Sequence, residues 1–332
     1  MSINLRFGLI IGAIFLVLAG YTGYWFFAAG RVETEIQRWL ADKEAAGYEI
    51  EYSELRVSGF PYRFEIHLSN PQIQLPESDG GWFVQLDAVQ ANALPYDFSL
   101  WIVAFDGPFL VEGDQTLRID ASDARFSRKS NSGGEIIRVG AEINALTIEA
   151  LDGEPPNISG IEQLLIAGQV GDDNILRVQA EASGLRASQE RLDPGMAAAF
   201  GETGELARMA MEVTEWSELA REGDAARWSR AGGEIRVEEA VFNWGPAQLT
   251  GEGQLTVNEI AEPDGRLSVR IANPDALADA LVEGGLIEEE NEQALRLAVM
   301  LAPRSEEGVS LPFSITASGV FFGPVRITSF EN

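Results

Sequence analysis

The sequence predicts a mainly β protein with a few helices (α+β), in which an antiparallel β-meander forms a curved sheet, a groove or a sandwich behind one N-terminal transmembrane helix. Three observations predict this class. An uncharged run covers residues 7–29. Apolar and polar residues then alternate with period two along many short segments, as in half-buried strands. Turn clusters such as PESDGG, SNSGG and GDDN separate these segments, and short turns between strands favour antiparallel pairing.

The N-terminal run FGLIIGAIFLVLAGYTGYWFFAA holds no charge. As a helix it would be about 34 Å long, which exceeds a hydrocarbon core of roughly 30 Å. A cleaved signal peptide is the alternative, but its apolar core is usually only about 7–15 residues long. The aromatic residues Tyr21, Tyr24 and Trp25 near the far end are typical of a membrane interface. We therefore expect an uncleaved anchor, with the N-terminus cytoplasmic and the bulk of the chain on the other side of the membrane.

A short amphipathic helix is expected directly after the anchor, because Val32, Ile36, Trp39 and Leu40 are spaced to share one helical face. Strand patterns then continue to about residue 185. The segment ARMAMEV fits a strand, and a helix is the alternative. These patterns suggest an anchor (1–30), a β-rich region with the leading helix (31–185) and a second β-rich region (186–332). One continuous domain, 31–332, is the alternative.

The second β-rich region contains two further predicted helices, near residues 217–231 and 274–301. The first ends at a Gly-Gly pair, and the second starts with Asn273 as N-cap and Pro274 in the first turn. Strand patterns surround both helices, so the region remains mainly β.

The segment SGFPYRFEIHL places Gly-Phe-Pro-Tyr at the head of an alternating strand. Glycine supplies unusual backbone angles, proline cannot donate to a strand ladder, and the aromatic rings are expected to fill the bend. The segments NWGPAQL and FFGPVRI have a similar pattern. A repeated binding element is the alternative to this architectural interpretation. The residues predicted to be architectural are Gly59, Phe60, Pro61, Tyr62, Gly245, Pro246, Gly323 and Pro324.

Apolar residues of the first strands fall on one face. Such a face is buried in a closed barrel or sandwich, whereas an open curved sheet leaves a groove that can hold acyl chains. The sequence leaves both open. The candidates for lipid-facing or core positions are Phe64, Ile66, Leu68, Trp82, Val84 and Leu86.

The composition excludes several kinds of site. There is no cysteine, one histidine (His67) and a net charge of −28. Disulfides, thiolate nucleophiles and cysteine-ligated zinc are therefore absent, and the acidic surface repels nucleic acid. We expect no cofactor, no metal site and no catalytic residues. A hydrolase that uses paired carboxylates is permitted by composition alone.

Several segments of the chain, SGFPYRFEI, ALPYDFSLWIV, ARWSRAGGEIRVEEAVFNWGPAQLTGEGQLTV, GRLSVRIANP and SGVFFGPVRI, follow the anchor in this order. Together they resemble the domain of unknown function 2125 family of Gram-negative bacteria over nearly the whole chain. More distantly, the chain resembles the AsmA-like superfamily, whose members are anchored in the inner membrane and linked to outer-membrane assembly and lipid transfer through β-grooves.

These resemblances imply a single-pass inner-membrane protein, held through residues 7–29, whose bulk is periplasmic. The expected function is non-catalytic assistance in envelope lipid handling or outer-membrane assembly, with phospholipid or another envelope protein as partner. The alternative is a structural or protein-interaction scaffold of the envelope with a filled core. Neither family supplies catalytic residues.

Overall fold

A computed structural model describes residues 3–258, 262–287, 293, 296–297, 300, 303–305, 308–322 and 325–328. It begins with α1 (Ile3–Ala45), a single helix of 43 residues. The predicted anchor and the predicted amphipathic helix are therefore one continuous helix. Gly30 does not interrupt it, since one glycine costs a helix only about 1 kcal/mol and good helix formers surround this one.

Twenty-one strands follow in the described residues. The first thirteen are β1 (Glu49–Glu51), β2 (Glu54–Ser58), β3 (Phe64–Ser69), β4 (Gln72–Gln74), β5 (Phe83–Gln85), β6 (Ala88–Leu94), β7 (Asp97–Asp106), β8 (Phe109–Glu112), β9 (Thr116–Asp120), β10 (Asp123–Ser130), β11 (Ile136–Ala150), β12 (Ile158–Val170) and β13 (Leu176–Ala187). The others are β14 (Thr203–Val213), β15 (Ile235–Trp244), β16 (Ala247–Val257), β17 (Pro263–Ile271), β18 (Arg304–Ser305), β19 (Gly308–Thr316), β20 (Gly319–Phe322) and β21 (Val325–Thr328).

All strands belong to one antiparallel sheet, which confirms the predicted mainly β class. From β11 to β17 each strand pairs with its neighbours in the chain, and β19, β20 and β21 continue the sheet. The ambiguous segment ARMAMEV lies in β14. Because β13 pairs with β14, the sheet continues across residue 185.

The other edge of β11 carries two branches. Residues 136–144 of β11 pair with β10, and residues 147–150 pair with β9. The main branch runs from β10 through β7, β6 and β3 to β2. The side branch runs from β9 through β8, β5 and β4 to β1. No strand pair in the described residues joins either branch to the C-terminal strands, so the sheet is open there.

Four further helices, α2 (Pro194–Phe200), α3 (Trp216–Glu222), α4 (Ala225–Arg230) and α5 (Pro274–Glu283), lie beyond strand ends. The helix predicted near 217–231 is two short helices, because Gly223 ends α3 in a left-handed conformation and the Asp224 side chain caps α4. α5 starts as predicted and ends at Glu283. Most of the remaining predicted helix, to residue 301, lies outside the described residues.

The aromatic core lies where α1 meets the sheet. Trp25, Ala28, Ala29 and Phe64 form a buried cluster there, with Val57 packed against it. The rings of Trp25 and Phe64 are stacked with centroids 5.1 Å apart. This cluster fixes the position of the long helix against β2 and β3.

Candidate functional site

Two rows of cross-strand pairs define one face of the sheet, which we call the apolar face. Directly paired residues on antiparallel strands point to the same side, so the pairing can be followed from β2 to β19. The first row is Val57, Ile66, Ala91, Val103, Phe126, Ala141, Ile166, Ala180, Met209, Ala240, Gly251, Val269 and Leu311. The second row is Leu55, Leu68, Val89, Phe105, Ala124, Ile143, Leu164, Ala182, Ala207, Phe242, Leu249, Ile271 and Val309.

Every residue in both rows is apolar. At about 4.8 Å between strands, thirteen strands extend the rows over roughly 58 Å. Alternate residues along a strand are about 7 Å apart, so the two rows occupy about 800 Å² of sheet surface. Part of this strip is covered, since Ile66, Ala124 and Val309 are buried.

Large side chains in the middle of the apolar face remain partly exposed. Phe126, Ile166 and Met209 keep 37–39% of their surface accessible, and Phe242 keeps 40%. Nothing in the described part of the chain therefore covers the centre of this face. The helices pack at strand ends instead: Trp228 of α4 donates from Nε1 to the Thr214 carbonyl at 2.6 Å, at one end of β14.

The opposite face is mainly polar and carries several ion pairs. Arg208 lies 3.0 Å from Glu239, and Arg177 lies 2.9 Å from Glu212. A shallow depression of about 870 Å³ on this face is lined by residues that include Arg208 and Leu165. Ion pairs of Arg208 with Glu181 and Glu239 line the depression, together with the apolar side chains of Ile102 and Leu165.

α1 lies against the first strands of the apolar face. Trp25 is 3% exposed and donates from Nε1 to the Arg63 carbonyl at 3.3 Å. The hydroxyl of Tyr21 donates to the Pro61 carbonyl, and that of Tyr24 donates to the Pro95 carbonyl at 2.7 Å. The three aromatic residues expected at a membrane interface thus direct their polar atoms to the protein, and the apolar face begins at the helix.

The Gly-Phe-Pro-Tyr bend connects β2 to β3. Gly59 has φ +99°, and a Cβ atom there would lie 2.6 Å from the Arg63 carbonyl oxygen, so the position requires glycine. Phe60 stacks on Phe26 with centroids 5.6 Å apart. Tyr62 is 82% exposed, so the expectation that its ring fills the bend is wrong. The ring extends outward because the Trp25 and Phe60 rings already occupy the inner side of the bend.

The second predicted bend, Gly245-Pro246, is the tight turn between β15 and β16, where Trp244 pairs with Ala247. Gly245 has φ +54°, and a Cβ atom would lie 2.7 Å from the Phe200 carbonyl oxygen. Gly323 and Pro324 lie outside the described residues.

The six lipid-facing or core candidates are divided between the two branches. Phe64, Ile66 and Leu68 lie on β3, where Ile66 and Leu68 belong to the two rows and Phe64 is fully buried under Trp25. The other three belong to the side branch: Val84 pairs with Ile73 and Val111, Leu86 is 4% exposed, and Trp82 is 49% exposed.

Sequence reasoning missed the centre of the apolar face, which includes Phe126, Ile166, Met209 and Phe242. The signal for it was present, since each of these residues lies in a segment of period-two alternation. Strand registers were needed to align the segments into rows.

Within the residues that the structure describes, the two rows of the apolar face contain no ionisable side chain. His67 lies on β3 between Arg56 and Gln90, on the polar side of the strand. Among the described residues, no group of three or more His, Asp or Glu side chains could hold a metal ion. The clear pKa shifts have local causes, such as the lowered pKa of Asp173, whose carboxylate accepts a hydrogen bond from Arg177.

Of the described helices, α1 is the one with the length and apolar composition to cross a membrane, as an anchor or as a signal sequence. A family model described as "Uncharacterized protein conserved in bacteria (DUF2125)" matches residues 25–331. No curated protein and no solved structure matches the chain.

Proposed function

We propose a function from the premise that this chain belongs to the bacterial protein family DUF2125. In this proposal, the protein is anchored in the inner membrane by α1 and exposes its sheet to the periplasm. There it holds lipid acyl chains on the apolar face, in support of envelope lipid handling or outer-membrane assembly, without catalysing a reaction. Phospholipid is the proposed ligand.

The observation that carries this proposal is the unbroken apolar face with an uncovered centre. Phe126, Ile166, Met209 and Phe242 each keep 37–40% of their surface accessible there, so the centre of the face presents a line of large apolar side chains to water. Covering it would be favourable, because each methylene moved from water to an apolar surface contributes about 0.8 kcal/mol. Flexible acyl chains fit such a face because they need no polar partner and can follow its length.

The contact between α1 and the sheet supports a retained anchor. Trp25, Ala28 and Ala29 are buried against Phe64, so removal of the helix as a signal peptide would expose this cluster to water. Burying a large aromatic side chain contributes about 1.5–3 kcal/mol or more. Two measurements test the topology. An alkaline-phosphatase fusion after Glu35 should be active, and the protein should remain in membranes washed with alkaline carbonate; release into the wash would favour a cleaved signal.

Native mass spectrometry of the full chain, extracted in mild detergent, tests the lipid proposal. The wild-type protein should retain phospholipid, and Ile166→Asp and Met209→Asp should lose most of it. Leu165→Asp is the matched control, because Leu165 neighbours Ile166, has similar exposure at 36%, and lies on the polar face. It should retain the lipid. Circular dichroism must show that all variants are folded.

The alternative is an envelope scaffold whose apolar face is covered by protein. Photo-crosslinking residues at positions 166 and 209 distinguish the two functions in intact cells. Crosslinks to phospholipid support the carrier. A lipid-free protein, whose crosslinks at both positions reach only protein, would contradict the carrier and support the scaffold.

A further inference from the structure

Two Pro-Tyr turns whose tyrosine side chains are exposed flank α1 at nearly the same height. One contains Phe60, Pro61 and Tyr62, and the other contains Pro95 and Tyr96; we call them the tyrosine turns. The carbonyls of the two prolines accept hydrogen bonds from Tyr21 and Tyr24, respectively. These helix positions differ by three residues, or about 4.5 Å along the axis. Both turns are therefore held at one level of the helix.

The tyrosine rings of these turns point away from the protein. Tyr62 is 82% exposed and Tyr96 is 80% exposed, and the neighbouring Phe60 and Leu94 are 44% and 39% exposed. Exposed tyrosine and phenylalanine side chains at one level are favourable at a membrane interface, where the ring contacts lipid and the hydroxyl contacts water.

The length of the apolar run determines where that level lies in a bilayer. A helix needs about 20 residues to cross roughly 30 Å of hydrocarbon. Counted from Phe7, the first uncharged residue of the run, the crossing ends near Phe26. The tyrosine turns contact the helix at Tyr21 and Tyr24, before that end. Shifting the crossing toward the N-terminus would draw Arg6 into hydrocarbon, which costs up to about 3 kcal/mol.

Three backbone carbonyls at the turns are satisfied by α1. In a region poor in water each exposed carbonyl needs a hydrogen-bond donor from the protein. The carbonyls of Pro61, Arg63 and Pro95 accept from Tyr21, Trp25 and Tyr24 of α1. The charged neighbours also have partners: Arg63 donates to Glu65 at 2.8 Å, and Asp97 accepts from the Ser99 amide at 2.9 Å.

We infer that the two tyrosine turns insert into the lipid interface of the leaflet through which α1 leaves the membrane, so that the sheet rests on the bilayer surface. The partner is the lipid surface itself. The inference rests on the proposed anchor. It adds that the β2–β3 end of the apolar face begins at the hydrocarbon boundary, where acyl chains are available.

The chain contains no cysteine, so single labels can be introduced in full-length protein. Tyr62→Cys and Tyr96→Cys would carry an environment-sensitive NBD label in vesicles of phosphatidylethanolamine and phosphatidylglycerol. Glu190→Cys is the control. This exposed residue follows the Ala187 end of β13, which lies at the edge of the sheet away from the tyrosine turns. Labels at 62 and 96 should be quenched several-fold more by lipid with a shallow nitroxide than the label at 190, and less by aqueous iodide.

The outcomes separate this inference from the proposed anchor. Vesicle flotation is measured on the same samples. If the protein floats with the vesicles while iodide quenches the labels at 62 and 96 as strongly as the label at 190, that result would overturn the insertion alone. Protein that does not float would overturn both the anchor and the insertion.

Discussion

Replacing Gly59 by alanine should destabilise the protein by distorting the bend that joins β2 and β3. The glycine has φ +99°, and the new Cβ atom would lie 2.6 Å from the Arg63 carbonyl oxygen and 2.9 Å from Arg63 Cγ. That carbonyl accepts the hydrogen bond of Trp25 Nε1. The bend must therefore move away from the helix, which strains the contact between α1 and the sheet.

The expected magnitude combines three effects. A left-handed backbone costs an alanine about 1–2 kcal/mol, and a close contact with backbone that cannot relax adds about 1–3 kcal/mol. The lower entropy of the unfolded alanine chain offsets about 0.4–1 kcal/mol. The free energy of unfolding should fall by about 1–5 kcal/mol, with a central value of about 3 kcal/mol. Gly134→Ala is the control, because Gly134 has φ +85° and an added Cβ atom would have no neighbour within 4 Å; it should cost about 1 kcal/mol.

Urea unfolding of full-length protein in detergent micelles, followed by far-UV circular dichroism, measures both variants. Gly59→Ala should lower the midpoint well below that of Gly134→Ala. Equal midpoints would refute the reasoning, because the contact with Arg63 would then contribute nothing. A variant that keeps its midpoint and loses bound lipid would instead favour a functional role for the bend.

Three further predictions concern stability and use the same unfolding assay. Trp25→Ala should cost about 3–5 kcal/mol because a buried ring is lost, whereas Trp39→Ala, on the same helix but 56% exposed, should change stability by less than about 0.5 kcal/mol. Trp228→Phe should cost about 1–3 kcal/mol, since a buried carbonyl loses its donor. Hydrogen bonds from the Thr116 amide and hydroxyl lower the pKa of Asp152. The contribution of Asp152 to folding stability is therefore present above about pH 4 and lost as the pH falls through the lower pKa of the folded state. Asp152→Asn should flatten the acid side of the plot of stability against pH. An unchanged plot would contradict this assignment.

The sequence was sufficient to predict the β-meander and the N-terminal apolar helix, because both depend on local periodicity. Alternation in segments such as β11 and β13 follows from one face being apolar, whatever the partner strand. The helix prediction depended on an uncharged run and needed no tertiary contact.

The remaining features depend on contacts between distant residues. Trp25 has the composition signal of a membrane-interface residue, yet it is buried because Phe64 and the Arg63 carbonyl lie beside it. The continuity of the apolar face depends on the register of twelve strand pairs, and a shift of one residue in any pair would move one strand's apolar residues to the other face. The alternation of apolar and polar residues within each strand does not specify the register between strands.

Pairing in chain order from β11 to β17 has a consequence for how the protein folds. Each of these strands needs only its predecessor as a template, so most contacts are close in sequence and carry a low loop-closure cost. A closed barrel must wait until its first and last strands meet. The β11–β17 part of this sheet can instead grow strand by strand as the chain is synthesised from its N-terminus. Stability should then be nearly additive along the sheet, as in repeat proteins, and chains truncated from the C-terminus should keep their earlier strands folded.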